Sequence, residues 1–455
     1  MTIVIVISDL HMGSGPVDDF DPEIEKLFLK FLDEWKSRGD AVELVINGDF
    51  LDFVQAPPYD GASLRSSTSD GIPLCFREEH SIQKLEAIAR DHGPALRALG
   101  DFLEHRSTNR VVVMPGNHDA DFFWPRVQAE FRWRVCEDKA GVTERLLIWL
   151  QPVYRPDSCP QLWIEHGHQL DPVNSFYVNG RPCWSEKEPP ILADKLNIPR
   201  LYECVGTRFL IQFLNRIDEQ YPYVDNVKPF SRFLQIFGAS AMVPGYAPLR
   251  AAVAMGSITK FLAKMLATNP RDVFSRQEDN TASAATAILR AYQASPPEKR
   301  ERFLSETQAR GFNLTRGITI TLSNEASAEP FMSFLEDNLD LLDVIDREIV
   351  EGTLKLAAGF VAKESDDLKE HAFNVVSDPA NSAECVIMGH THEAVNEPYY
   401  INTGSWTRYY QVAAKERLRP WSLLRAKAWK SFPYKLHFAI AEPGASPVAS
   451  FRSYN

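Results

Sequence analysis

Five short clusters of metal-binding residue types, each directly after a short apolar run, are the most constraining feature of this 455-residue chain. In chain order they are Asp9-Leu10-His11, Gly48-Asp49, Gly116-Asn117-His118-Asp119, Glu165-His166-Gly167-His168 and Gly389-His390-Thr391-His392. The runs before them, at 3–7, 42–46, 111–114, 162–164 and 385–388, have the length and composition of buried strands. Polar ligands at the carboxyl ends of parallel strands are how an α/β sheet builds an active site. The sequence therefore predicts that the five clusters form one site.

The pattern of strand and helix signals divides the chain into three parts. Residues 1–171 alternate strand-like segments with amphipathic ones, such as Glu23 to Trp35 and about Ile82 to Leu103, which predicts a mostly parallel sheet with helices on both faces. Strand signals nearly vanish over 172–384, and Pro296 to Arg302 looks like a polar connection there. Long apolar-periodic stretches mark that part as a mainly α-helical insertion: Leu201–Ile217, Phe230–Phe237, Leu249–Leu266 and Phe334–Phe360.

The length of the chain exceeds what one compact core usually holds. We therefore expect a catalytic domain made of residues 1–171 and 385–455, where strand signals return. The intervening insertion, 172–384, would be a substrate cap or a partner-binding domain.

The composition limits the classes of partner and the compartment. A formal net charge of −12 disfavours indiscriminate binding to nucleic acid, which needs a broad basic surface. The six cysteines lack CxxC spacing, so we expect reduced, structural thiols. The first residues carry no signal-type segment, and no run of 18 apolar residues occurs, which predicts a cytoplasmic protein without a transmembrane helix.

The residue types in the clusters point to divalent metal ions. Asp-x-His places two ligands on one side of a strand end, because alternate side chains point the same way. Carboxylate oxygen and imidazole nitrogen suit Mn²⁺, Fe²⁺ or Zn²⁺ better than Ca²⁺. Each cluster alone is weak evidence, but five in order at strand ends seldom coincide by chance.

The ordered set resembles the calcineurin-like metallophosphoesterase superfamily. Its motifs are Asp-x-His, Gly-Asp-x-x-Asp, Gly-Asn-His-(Asp/Glu), a histidine after a strand, and Gly-His-x-His. Residues 48–52 and 116–119 fit the second and third motifs in full, and the resemblance covers 1–171 and about 385–410. It implies a four-layer α/β-β/α sandwich with a site for two divalent ions, for which we expect Mn²⁺, with Fe²⁺ or Zn²⁺ as alternatives.

The resemblance also implies roles for particular residues. The first ion would be bound by Asp9, His11, Asp49 and His392, and the second by Asp49 as the bridge with Asn117, His166 and His390. His118 would protonate the leaving oxygen, with Asp119 orienting its imidazole. The implied reaction is attack of a metal-bridging hydroxide on a phosphodiester or pyrophosphate bond.

Three further residues are candidate substrate contacts. Arg65 and Arg77 lie in a stretch rich in Pro, Gly and Ser, Val54 to Glu79, which should overhang the site because it follows a ligand-bearing strand end. His168 is not a required ligand in the pattern. A structural role for it, close behind the ligands or on the surface, is as plausible as a substrate contact.

The branch of the superfamily is suggested by two stretches. Residues 166–171, which lead into the insertion, and 400–406 look like the branch that contains the UDP-2,3-diacylglucosamine pyrophosphohydrolase of lipid A synthesis. That enzyme has arginine in place of His118, aspartate in place of His168 and a much smaller cap. The resemblance therefore implies the branch and not the substrate.

Several alternatives remain open from the sequence. The unusually apolar stretch Leu234 to Ala267 leaves open a substrate with an apolar moiety and a peripheral membrane contact. The basic-aromatic segment Lys415 to Lys435 fits a phosphate-bearing partner or a solvated hairpin. A nuclease, a protein phosphatase and a non-catalytic scaffold that binds a partner through the insertion are the competing functions.

Overall fold

The structure is a computed structural model, and it describes most of the predicted catalytic domain and part of the insertion. The described residues are 2–15, 18–57, 76–137, 139–171, 174–178, 181–193, 197–204, 292–293, 295–313, 367–411 and 431–454, with a few isolated positions between 206 and 341. Arg65 and most of the predicted insertion helices lie outside these residues.

Six strands form the first sheet: β1 Thr2–Ile7, β2 Ala41–Asn47, β3 Arg110–Met114, β4 Leu146–Ile148, β15 Leu436–Ala441 and β16 Ala449–Tyr454. The order is β16-β15-β1-β2-β3-β4. β1 to β4 are parallel, and β15 and β16 extend the sheet antiparallel to β1. The strands of the centre are nearly continuous apolar runs because both faces of this sheet are buried.

Four strands form the second sheet: β5 Leu162–Ile164, β11 Cys385–Met388, β12 Val395–Glu397 and β13 Tyr400–Asn402. The order is β12-β13-β11-β5, with β12 antiparallel to its neighbour. Its inner face packs on the first sheet, and one buried apolar cluster contains Val4 and Val45 of the first sheet with Ile164, Ile387 and Ile401 of the second.

Four helices cover the outer face of the first sheet: α1 Pro22–Lys36, α2 Glu78–Asp91, α3 Gly93–His105 and α4 Pro125–Cys136. α1 begins where the Asp21 side chain accepts hydrogen bonds from two backbone N–H groups of the first turn. The predicted stretch from Ile82 to Leu103 is two helices separated at His92. Pro94 causes the break, because proline is tolerated in a first helical turn but not inside a helix.

A helix at 367–377 covers the outer face of the second sheet. Its Leu368, Ala372 and Val375 pack against Val386 and Met388 of β11. The four-layer α/β-β/α sandwich is therefore confirmed. The expectation of helices on both faces of one sheet is wrong, because the inner face of each sheet is covered by the other sheet. The helix at 367–377 is a layer of the sandwich, although the sequence placed it in the insertion.

The described residues after 171 contain more strand than the sequence predicted. Six short strands form three pairs: β6 Tyr177–Val178 with β7 Arg181–Pro182, β8 Ile191–Ala193 with β9 Pro199–Leu201, and β10 Val227–Lys228 with β14 Tyr410–Gln411. The prediction that a helix begins at Leu201 is wrong, because Leu201 is the last residue of β9. Prolines at 189, 190 and 199 favour this extended backbone.

The segment taken for a polar connection at Pro296 to Arg302 is also helical. It is the start of helix α5, Pro297–Ala309, since proline is well placed in a first helical turn. In the part of the chain that the structure describes, every helix is too short or too polar to cross a bilayer.

Candidate metal centre

The structure brings the five clusters together at the carboxyl ends of β1, β2, β3, β5 and β11, as the sequence predicted. Backbone hydrogen bonds join neighbouring strand ends: His11 N donates to Asp49 O at 2.9 Å, and Gly389 N donates to His166 O at 3.1 Å. The third cluster is tied to the second because His118 N donates to Asp49 Oδ1 at 2.9 Å. The loops that carry the clusters are thus held against one another by main-chain contacts.

Five residues of these clusters have left-handed backbone, with φ of 54° at Asp9, 50° at His11, 48° at Asp49, 70° at His390 and 57° at His392. This conformation is disfavoured for residues with a Cβ atom and costs on the order of 1 kcal/mol or more each. Such strain persists only where the surrounding structure imposes it, and it concentrates at functional sites.

Two motif glycines are required by close approach. A Cβ atom on Gly116 would overlap Asp49 Oδ1, and one on Gly389 would overlap Asp9 Oδ2. The absence of a side chain at these positions lets the carboxylates lie directly against the neighbouring loop.

A first group of ligand atoms comes from Asp9, His11, Asp49 and His392, within 4.8 Å of one another. His11 Nε2 lies 3.0 Å from His392 Nε2, and His392 Nε2 lies 3.3 Å from Asp9 Oδ1. Two atoms that each bind one ion at about 2.0–2.1 Å lie about 3.0–3.4 Å apart in octahedral or tetrahedral geometry. These separations therefore fit one shared divalent ion.

A second group comes from Asp49, His166 and His390, so Asp49 belongs to both. His166 Nε2 lies 3.1 Å from Asp49 Oδ2, while its Nδ1 donates to the Asn47 carbonyl at 2.8 Å and leaves Nε2 as the ligand atom. Asn117 Oδ1 is buried and accepts no hydrogen bond from the described residues. Buried polar atoms normally have partners, so this oxygen fits a ligand position as well. The residues fit two ions that share Asp49.

The electrostatics of the site favour cations. Burial raises the pKa of Asp49, but the charges of His166 and His118 outweigh it and hold the pKa well below its usual value. For Asp9, burial likewise opposes the shift, and the contact with His392 lowers the pKa overall. Burial lowers the pKa of His166, and Asp49 more than reverses that effect. Two buried carboxylates thus stay ionised in a region from which water is excluded.

The orientation of His118 differs from the expectation. Its Nδ1 lies 2.9 Å from Asp52 Oδ2, and the same oxygen lies 3.1 Å from His11 Nδ1. Asp119 instead accepts backbone N–H groups from Gly116, Phe50 and Leu51. The expectation that Asp119 orients the imidazole is therefore wrong. The Asp119 carboxylate joins the second and third clusters by accepting these backbone N–H groups. Its burial and the nearby charge of Asp49 raise the pKa of Asp119 to about 8.

His168 is a buried residue behind the ligands and not a surface one. Its ring centroid lies 4.3 Å from that of Trp184 and 5.3 Å from that of His166. Burial, and then the charges of His166 and His390, lower its pKa well below the ordinary value. Arg77 lies directly before α2 and is partly buried. Contacts of His168 and Arg77 with a substrate stay predictions.

Two acidic residues around the site were missed from the sequence. Asp52 is the second aspartate of the Gly-Asp-x-x-Asp motif, which was the available signal for it. Asp171 Oδ2 lies 3.2 Å from His390 Nε2. Its position in the loop after the fourth cluster gave no comparable signal, because the contact joins residues 219 positions apart.

Comparison with known families agrees with this geometry. The model of the calcineurin-like phosphoesterase family matches residues 2–201. This match supports the calcineurin-like phosphoesterase superfamily for this part of the chain. A comparison with curated proteins gave no match. The phosphoesterase match contains the first four clusters, and β11 brings the fifth, residues 389–392, into the same site. Family and site together support a metal-dependent phosphoric ester hydrolase.

Proposed function

We propose that the protein hydrolyses a phosphodiester or pyrophosphate bond with two divalent ions, Mn²⁺ being the expected pair. The observation that carries this proposal is the pair of ligand groups that share Asp49, with His118 beside them. Asp9, His11 and His392 would complete the first ion's ligands, and Asn117, His166 and His390 the second's. Ions in these positions would activate water and neutralise charge on the phosphoryl oxygens.

The protein's own residues have a separate task in this reaction. Asp52 Oδ2 contacts His118 Nδ1, so the proton for the leaving oxygen would be donated from Nε2. Asp52 is itself fixed, because its Oδ1 accepts the backbone N–H groups of Val54 and Gln55 at 3.1 and 2.9 Å. This contact keeps the imidazole in one tautomer and one orientation.

A positioned proton donor favours a diester or pyrophosphate over a monoester with a good leaving group. Such a donor contributes most when the leaving oxygen is strongly basic. A nuclease would share this chemistry, and the net charge of −12 counts against it. A protein phosphatase would prefer monoesters. A non-catalytic scaffold is disfavoured, because every residue of the two ligand groups is present and brought together.

The test compares bis-p-nitrophenyl phosphate with p-nitrophenyl phosphate in the presence of Mn²⁺. We expect metal-dependent turnover with preference for the diester, and loss of most activity in Asp49→Ala and His118→Ala. Asp157→Ala and His105→Ala are matched controls, because both residues are exposed. Absence of metal-dependent turnover of both esters would refute the proposal that the protein is an enzyme. A strong preference for the monoester would refute the diesterase and favour a protein phosphatase.

The remaining proposals concern the domain boundaries, the cellular location and the substrate. The catalytic domain comprises residues 1–171 and 385–455, and the insertion comprises 172–384. The helix at 367–377, within the insertion by sequence, packs on the second sheet. A cytoplasmic location is supported by the five cysteines that the structure describes, which are all buried free thiols. An apolar substrate moiety, a membrane contact and the UDP-2,3-diacylglucosamine branch rest on the sequence alone.

A further inference from the structure

A cavity of about 540 Å³ lies beside His392. Its lining includes His437 of β15 and Phe451 of β16 from the first sheet, and Asn396 of β12 from the second. Among the described residues, β16 and β12 are edge strands of their respective sheets. The cavity has the size of a small-molecule site. It meets the metal centre at His392, which belongs to the first ligand group.

The walls of the cavity are mainly polar and well fixed. Ser405 is buried, with its Oγ 3.1 Å from Thr407 Oγ1. The His437 ring lies against Phe451 with centroids 4.7 Å apart, and its Nδ1 lies 3.1 Å from Ser453 Oγ. A preformed polar cavity favours a hydrogen-bonding group over an acyl chain, because an acyl chain would displace water from polar surface without replacing its hydrogen bonds.

Among the described residues that line the cavity, Lys435 carries an ammonium and Glu393 a carboxylate. Lys435 lines the cavity and is exposed to solvent, and Glu393 lies next to the ligand His392. The expected divalent ions would lie next to His392, at one part of the cavity lining. Lys435 adds a positive charge at another part of the lining. Lys435 also ends the basic-aromatic segment of the sequence, for which the metal centre gives no role.

We propose that this cavity binds a second anionic group of the substrate, of the phosphoryl class, with Lys435 as its ion-pair partner. The inference rests on the proposed function, because the first phosphoryl group must lie at the metal centre. A lysine ammonium binds phosphoryl oxygens as a point charge and donates up to three hydrogen bonds. The substrate class is then a compound with two separated phosphoryl groups.

The experiment measures binding and needs no turnover. Methylphosphonate and alkane bisphosphonates with one to four methylene groups are titrated into the full chain loaded with Mn²⁺, by isothermal titration calorimetry. The variants are Lys435→Gln and Lys435→Arg. Arg452→Gln is the matched control, because Arg452 is exposed and lies opposite Phe438, on the face of the sheet away from Phe451.

We expect one bisphosphonate length to bind wild type more tightly than methylphosphonate does. Lys435→Gln should lose about fivefold in affinity for it and keep its affinity for methylphosphonate, as befits an exposed ion pair. Lys435→Arg and Arg452→Gln should bind like wild type. Equal loss for both ligands, no loss, or no gain from the second phosphonate in wild type would each overturn the inference. Failure of the proposed function would appear separately, as absence of ester turnover by wild type.

Discussion

Asp52 holds two imidazoles with one carboxylate oxygen, and this makes Asp52→Asn an informative change. Oδ2 accepts from Nδ1 of both His11 and His118, while Oδ1 accepts the backbone N–H groups of Val54 and Gln55. In asparagine the amide oxygen can keep the two backbone bonds. The NH₂ group then faces two ring nitrogens that need an acceptor, so each imidazole must change its tautomer or turn away.

Because Asp52 contacts both imidazoles, we expect Asp52→Asn to lose both catalytic rate and metal affinity. A misplaced proton on His118 removes general acid catalysis, which contributes roughly 10²–10⁴ in rate. Loss of the partner behind His11, an expected metal ligand, weakens metal affinity by roughly 10–100-fold. At saturating Mn²⁺ only the first effect should remain. We therefore expect kcat/KM for a diester to fall by about 10²–10⁴ in Asp52→Asn under those conditions.

The assay uses methyl aryl phosphates whose phenols differ in acidity, with Mn²⁺ affinity measured separately by calorimetry. The loss should grow as the leaving phenol becomes more basic, because the donor matters most there. Since Asp52 acts through His118, the losses of Asp52→Asn and His118→Gln should not add in the double variant. Asp157→Asn, at an exposed site, is the control. Additive losses, or activity within about threefold of wild type at saturating metal, would refute the reasoning.

Two other perturbations follow from buried contacts. Burial lowers the pKa of His92, but contacts with Asp18 at 2.9 Å and Glu25 at 3.6 Å outweigh it and raise the pKa to about 9. Because the pKa of His92 is higher in the folded than in the unfolded state, its stabilising effect is complete below pH 6.5 and is lost as the pH rises towards 9. The free energy of unfolding of wild type should therefore fall by up to about 3 kcal/mol over that range. The same pH dependence in His92→Phe would contradict this. Gly389→Ala should weaken Mn²⁺ binding at least about tenfold by displacing Asp9, while Gly39→Ala, which meets no neighbour, should not. Calorimetric titration with Mn²⁺ measures the second effect, and unchanged affinity in Gly389→Ala would contradict it.

The sequence by itself determined the five strands that carry the clusters, and the spacing of the metal-binding residue types within each cluster. Both are local properties: a short apolar run reports burial, and a motif such as Gly389-His390-Thr391-His392 fixes ligand spacing within one loop. The same local periodicity located helix α1 but not the break at His92, which depends on a proline two positions further on.

Only the tertiary structure decided which atoms face each other. The family resemblance assigned Asp119 to His118, but the loop of the second cluster folds over the third and places Asp52 against the ring. The backbone of that loop then takes up the Asp119 carboxylate. The helix at 367–377 as the fourth layer and the cavity beside His392 likewise depend on contacts between distant segments. Periodicity reports that a residue is buried; the packing of layers decides what it is buried against.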